Sequence, residues 1–142
     1  MDKLNDLNDS GIHILELTKK LSELRQNGFC QTRFTPIRYE MEGGVGWGYP
    51  LFKSPTMACQ RIYMPTNTVF PLHSHPAPSK EWIITVSGCF TLINCPQADT
   101  KCVAGDIVTF QPEEPHSCRI LKPTWTLCIT IPADMEEYPD VT

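Results

Sequence analysis

The chain has 142 residues, with 12 Lys and Arg against 16 Asp and Glu for a formal net charge of −4. A length of this order suits one domain that withdraws roughly two thirds of its surface from water on folding. The basic residues are scattered and no apolar run reaches the roughly 18 residues of a membrane span, so neither nucleic acid nor a membrane is expected as a partner.

In chain order, residues 1–28 read as a polar tail and a helix. The start, Met1-Asp2-Lys3-Leu4-Asn5-Asp6, is unlike a secretory signal. Ser10 is placed to cap an amphipathic α-helix over 11–26, with Ile14, Leu17, Leu21 and Leu24 on one face. Glu16 and Lys20 stand at i,i+4, and Gly28 is a suitable terminator. One helix cannot bury that stripe alone, so it must pack on the exterior of the domain or on a second subunit. His13 falls inside the helix and is given no special role.

Residues 29–56 read as an extended, glycine-rich arm, with extended pieces near 29–39. The stretch Gly43-Gly44-Val45-Gly46-Trp47-Gly48-Tyr49-Pro50 has neither the strand–loop–helix setting nor the spacing of a phosphate cradle. A mobile loop carrying two aromatics is expected there. From residue 57 the pattern becomes strand after strand, at about 57–64, 68–73, 81–87, 89–95, 100–103, 106–110, 116–121 and 124–131. The segments are short, rich in β-branched and aromatic residues, and punctuated by Pro, Gly, Asn and Asp. With 13 prolines in the chain this argues for an all-β barrel or jelly roll over 57–132, followed by a C-terminal tail at 133–142.

The seven cysteines are odd in number and follow no CxxC spacing, and four of them (Cys89, Cys102, Cys118, Cys128) lie in apolar alternating segments. Free thiols in the cytoplasm are therefore expected.

Three of the four histidines concentrate in one pattern: His73-Ser74-His75, then Glu81, then His116. In a strand, alternate residues share a face, so His73 and His75 can point into one cavity. Neutral imidazole and ionised carboxylate are the donor types that hold divalent transition metals. These four residues are the candidate metal ligands.

The flanking residues extend the pattern. Asn67, five residues, His73-Ser74-His75, five residues, Glu81, six residues and Gly88 make one block, and Gly105-Asp106 through Pro115 to His116 makes a second. The pair resembles the two signature motifs of the cupin superfamily, G-x5-HxH-x3-4-E-x6-G and G-x5-PxG-x2-H-x3-N, over residues 57–132. This sequence departs from them at Asn67, Gln111, Glu113 and Ile120, and its His75–Glu81 gap, with Pro76 and Pro78, is one residue longer. None of the four substituted positions is a metal ligand in that superfamily. The resemblance implies a double-stranded β-helix, and it implies the same ligand set, His73, His75, Glu81 and His116, around one divalent transition metal. Iron or manganese is favoured, and nickel, cobalt or zinc is compatible.

Other side chains have two readings each. Cys118, two residues after His116, either lines the pocket or is a small core residue. Arg61 and Tyr63 share a strand face that either holds a substrate oxygen or forms a solvated rim. Trp82 alternates with Glu81 and should face away from the metal. Trp125, Leu127, Ile129 and Ile131 are expected to fill the core.

Functionally, a metal held by three imidazoles and one carboxylate keeps positions open, unlike a closed thiolate-rich structural zinc site. An iron- or manganese-dependent dioxygenase-type enzyme for a small chelating substrate is the leading expectation. A non-catalytic small-ligand-binding or sensing module, and an O2-independent isomerase or decarboxylase, are the alternatives. A homodimer is one expected assembly.

Overall fold

A computed structural model of the chain describes residues 35–134. The helix expected over 11–26 and all but the first two residues of the C-terminal tail lie outside them. The described chain forms eight strands: β1 (Ile37–Met41), β2 (Gly44–Ser54), β3 (Met57–Met64), β4 (Val69–His73), β5 (Lys80–Ile93), β6 (Lys101–Val103), β7 (Ile107–Phe110) and β8 (His116–Ile131). All the strand pairings are antiparallel. Among the described residues no helix is long and apolar enough to cross a membrane.

Two long strands organise the barrel. Residues 124–130 of β8 pair with β3, and through it with β2 and β1; residues 80–87 of β5 continue that layer out to β7. The other ends of the same strands build a second layer, in which β4 pairs with 116–119, and 89–91 of β5 pair with β6. One apolar cluster joins Ile62, Phe110 and Cys128 of the first layer to Phe70, Phe90, Leu92 and Ile120 of the second. The result is the double-stranded β-helix expected from the sequence.

The expected breaks after 87 and 121 are therefore bends rather than strand ends. At the first, the register shifts between Thr85 and Phe90, and Gly88 takes φ +94°. A Cβ on Gly88 would collide with the Pro123 carbonyl oxygen on the neighbouring strand. Only glycine fits both the left-handed backbone and this close approach. The left-handed conformation recurs at Asn67 (φ 58°), Gly105 (φ 92°) and Glu113 (φ 62°). These are the other positions where the resembled motifs carry glycine, so the substitutions leave the turns in place. Asparagine tolerates that region; glutamate sits there at some cost.

The glycine-rich stretch is not a loop. Gly44 to Pro50 lie inside β2, paired on both sides by β1 and β3. Gly46 and Gly48 face the barrel interior, and their missing side chains leave the space into which Met41 and Tyr39 of β1 fold. Tyr39 then packs on Phe70 at 5.1 Å and bonds through its hydroxyl to the fully buried Gln60. The aromatics Trp47 and Tyr49 alternate with the glycines and turn to the outer face.

A second correction concerns β8. The interior face of this strand carries Thr124, Thr126, Cys128 and Thr130, all at most 5% exposed. Trp125, Leu127 and Ile131 lie on the opposite face and are only partly buried, while Ile129, on that same face, is buried at 2% exposure as expected. Apart from Ile129, hydrophobicity alone selects the wrong side, because the buried hydroxyls find local partners. Thr124 Oγ1 donates to the Lys122 carbonyl at 2.7 Å, and Thr126 Oγ1 lies 3.5 Å from Cys128 Sγ.

Candidate metal centre

The ligands come from three places on this frame. His73 is the last residue of β4 and His116 the first of β8, paired directly with it. Glu81 is the second residue of β5, flanked by Phe110 of β7 and Thr130 of β8. His75 lies in the link between β4 and β5, whose extra residue and prolines form a turn closed by Ser79 N–H donating to the Pro76 carbonyl at 2.9 Å. The His75 carbonyl accepts from Glu113 N–H at 2.7 Å, which ties the two motif turns together.

One donor atom from each of His73, His75, Glu81 and His116 lies within 4.8 Å of all the others. Two metal–ligand bonds of roughly 2 Å each set donors at most about 4 Å apart, so small side-chain shifts would bring the four onto one ion. His75, Glu81 and His116 are 4%, 3% and 2% exposed, while His73 is half-buried. Rings hold rings: Phe110 stacks on His116 with centroids 3.9 Å apart and planes 5° from parallel, and Phe70 meets His73 edge-on at 5.2 Å.

The hydrogen bonds decide which nitrogen faces inward. His73 Nδ1 lies 2.8 Å from the Pro71 carbonyl oxygen, His116 Nδ1 lies 2.9 Å from that of Glu114, and His75 Nδ1 lies 2.8 Å from Asp134 Oδ2. Each Nδ1 thus has an oxygen acceptor and keeps the proton. A neutral imidazole then presents the Nε2 lone pair. His75 Nε2 and His116 Nε2 meet Glu81 Oε2 and Oε1, each at 2.8 Å. Lone pairs aimed at carboxylate oxygens need a positive charge between them, supplied by protonated rings or by a shared cation.

The electrostatics keep the donors in ligating form. Burial pushes the His73 imidazole below its ordinary value, against the opposing pull of Glu81, and so keeps it in the neutral form that ligates. Burial alone would raise Glu81. Positive charge at the adjoining His116 and His75 rings outweighs it and holds the carboxyl down at about 2, ionised near neutrality. The donor set therefore fits a divalent metal.

A cavity opens onto these ligands, enclosing about 460 Å³ when its mouth is included. Beyond His73, Glu81 and His116, its wall is mostly apolar, with Ile62, Phe70, Ile83, Phe90 and Leu92, and the polar contributions come from Ser117 and Thr126. Cys118 also lines it, but burial pushes its thiol up to about 12, so it stays protonated near pH 7. The structure does not bring Arg61 and Tyr63 to the site. They lie on the outer face, where the Arg61 guanidinium sits 4.9 Å from the Trp125 ring centre and 5.6 Å from that of Tyr49. Trp82 faces away from Glu81, with Lys80 Nζ 5.4 Å from its ring centre. Sequence reading missed Asp134, which stands 59 residues from its partner in a segment with no motif around it.

No family model matches the chain, and no curated protein matches it. Solved structures do. A predicted oxalate decarboxylase from Thermotoga maritima is similar at TM-score 0.59 and 21% identity, over 69% of this chain and 92% of that one. An RmlC-like cupin from Shewanella frigidimarina gives TM-score 0.59 and 19% identity, covering 69% and 87%. KdgF from a Halomonas species gives 0.61 and 15%, covering 73% and 96%. At these identities the likeness establishes the fold, a cupin-type double-stranded β-helix.

Proposed function

We propose that this chain is a metal-dependent oxidoreductase of the dioxygenase type, acting on a small and largely apolar molecule that carries a chelating enol, catechol or thiol. The observation that carries the reading is the pairing of a three-histidine, one-carboxylate centre with a cavity whose described lining contains no lysine or arginine. A dicarboxylate such as oxalate would find no cationic side chain to take its second charge there, so the decarboxylase described for the Thermotoga maritima neighbour is a weaker guide to substrate. Bound iron or manganese would supply Lewis acidity and a template on which substrate and O2 meet.

The protein's own contribution is positional. Phe110 and Phe70 fix two of the imidazoles. Ionised Glu81 balances one unit of metal charge, and the apolar wall limits water near reactive species. A reducing cytoplasmic setting belongs to the same reading, since the six described cysteines are free thiols.

A second reading, a non-catalytic ligand-binding module, is favoured by one observation. Among the described residues of the cavity the titratable side chains beyond the ligands are two thiols, Cys118 and Cys128, and no further carboxylate, imidazole or amine is present as a general base. Oxygen electrode assays on protein loaded with Fe²⁺ or Mn²⁺ separate the two. Uptake with a chelating substrate, lost in His75→Ala, is expected. A ligand that raises the melting temperature without being consumed would favour the binding module, and turnover under strict anaerobiosis would point to an isomerase or decarboxylase.

A further inference from the structure

We infer that Asp134 is the positioning residue of this centre: it orients His75, makes it the strongest imidazole donor, and couples the segment after β8 to metal occupancy. The inference rests on reading His73, His75, Glu81 and His116 as a metal site.

The three imidazoles are not held alike. His73 and His116 each donate Nδ1–H to a carbonyl oxygen two residues away, so local backbone geometry orients them. His75 lies in a proline-containing link outside any strand and donates instead to a carboxylate 59 residues distant, at 2.8 Å. Both side chains are buried, 5% and 8% exposed. A hydrogen bond to an anion is shorter and stronger than one to a carbonyl, fixes the tautomer, and transfers electron density to the opposite nitrogen. Of the three Nε2 donors, that of His75 is therefore the most basic.

Asp134 is itself anchored. Its N–H donates to Thr130 Oγ1 at 3.1 Å, and Thr130 is the register partner of Glu81. Ala133 N–H donates to the Pro55 carbonyl at 3.3 Å. The chain leaving β8 is thus fastened to the strand beside Glu81 and turned so that its carboxylate reaches His75. Charge gives a second reason. With Glu81 alone, a divalent ion and neutral imidazoles leave one net positive charge in a mostly apolar cavity; with Asp134 the buried group is formally neutral, which lowers the cost of burying it. By linkage, whatever favours docking of Asp134 favours the metal, and metal favours the docked segment.

Co²⁺ is the probe. Its dissociation constant is measured by chelator competition for wild type, Asp134→Asn and Asp134→Ala, together with the visible Co²⁺ spectrum and the melting temperature of each metal-free protein. Asp134→Ala should weaken Co²⁺ about 10- to 100-fold. Asp134→Asn, which keeps an acceptor but loses the charge, should fall between it and wild type, and both should shift the Co²⁺ absorption bands. The isosteric Asn variant carries the test if the Ala variant fails to fold. Affinities within twofold of wild type in the folded variants, with only the metal-free melting temperature lowered, would make Asp134 a purely structural residue and overturn the inference while leaving the metal site intact. A wild-type protein that takes up no Co²⁺ overturns the metal reading itself, and the inference with it.

Discussion

His73 alone among the four ligands is only partly buried; the other three are at most 4% exposed. Substitutions should separate accordingly. Removing His75 deletes the group that stands between two buried carboxylates, Glu81 and Asp134, whereas removing His73 takes away a partly buried ring whose Nδ1 meets a backbone carbonyl. In urea unfolding of metal-free protein, His75→Ala should cost about 3 kcal/mol and His73→Ala about 1 kcal/mol. Equal costs would contradict this account. The pH dependence has one direction. His73 titrates below its unfolded value, so between the two the unfolded chain binds a proton that the folded chain refuses, and stability falls as pH drops below about 6.5. Glu81, held at about 2, adds stability that is fully present above the ordinary carboxyl range and is lost as pH falls from there toward about 2. The urea midpoint of metal-free protein should therefore decline from pH 7.5 to 5 and again to 3; a flat profile would contradict both assignments.

Among the elements, β5 and β8 carry the fold because each serves both layers, and Gly88 is the corner on which β5 turns. Gly88→Ala forces a Cβ into the Pro123 carbonyl and a left-handed backbone at once. It should lower stability by about 3 kcal/mol or more, read from chemical denaturation. Loss of less than about 1 kcal/mol would mean that the bend yields. The sequence marks this corner, but as a gap between strands, because a glycine between two alternating runs looks the same whether the ladder stops or bends. Pairing on both sides of β5 is non-local and leaves no trace in the local pattern. The mobile loop expected at Gly43 to Pro50 failed for a related reason. Glycines at Gly46 and Gly48 signal a loop by composition, yet here they mark where Met41 and Tyr39 cross the strand, a fact that exists only once β1 has folded onto β2.

At the scale of the whole molecule, the outer face of the first layer presents Trp47, Tyr63 and Trp125 in one register row, and Tyr49, Arg61 and Leu127 in the next. Trp, Tyr and Arg are the residue types that dominate protein interfaces, so a homodimer formed through this face remains an expectation. Sedimentation should give a dimer at concentrations on the order of tens of micromolar that Trp125→Ala weakens at least tenfold; a wild-type monomer would remove the expectation. The sequence by itself determined the all-β class, the boundaries of β3 and the four metal-binding candidates, because period-two patterning and the spacing of three histidines and a glutamate are local properties of a chain. Tertiary structure alone decided which faces turn inward. It buried the threonines of β8 in place of Trp125 and Leu127, sent Arg61 and Tyr63 outside, and brought Asp134 to His75. Each of those outcomes depends on contacts between residues far apart in sequence, and hydrophobicity at one position cannot tell a satisfied buried hydroxyl from an exposed one.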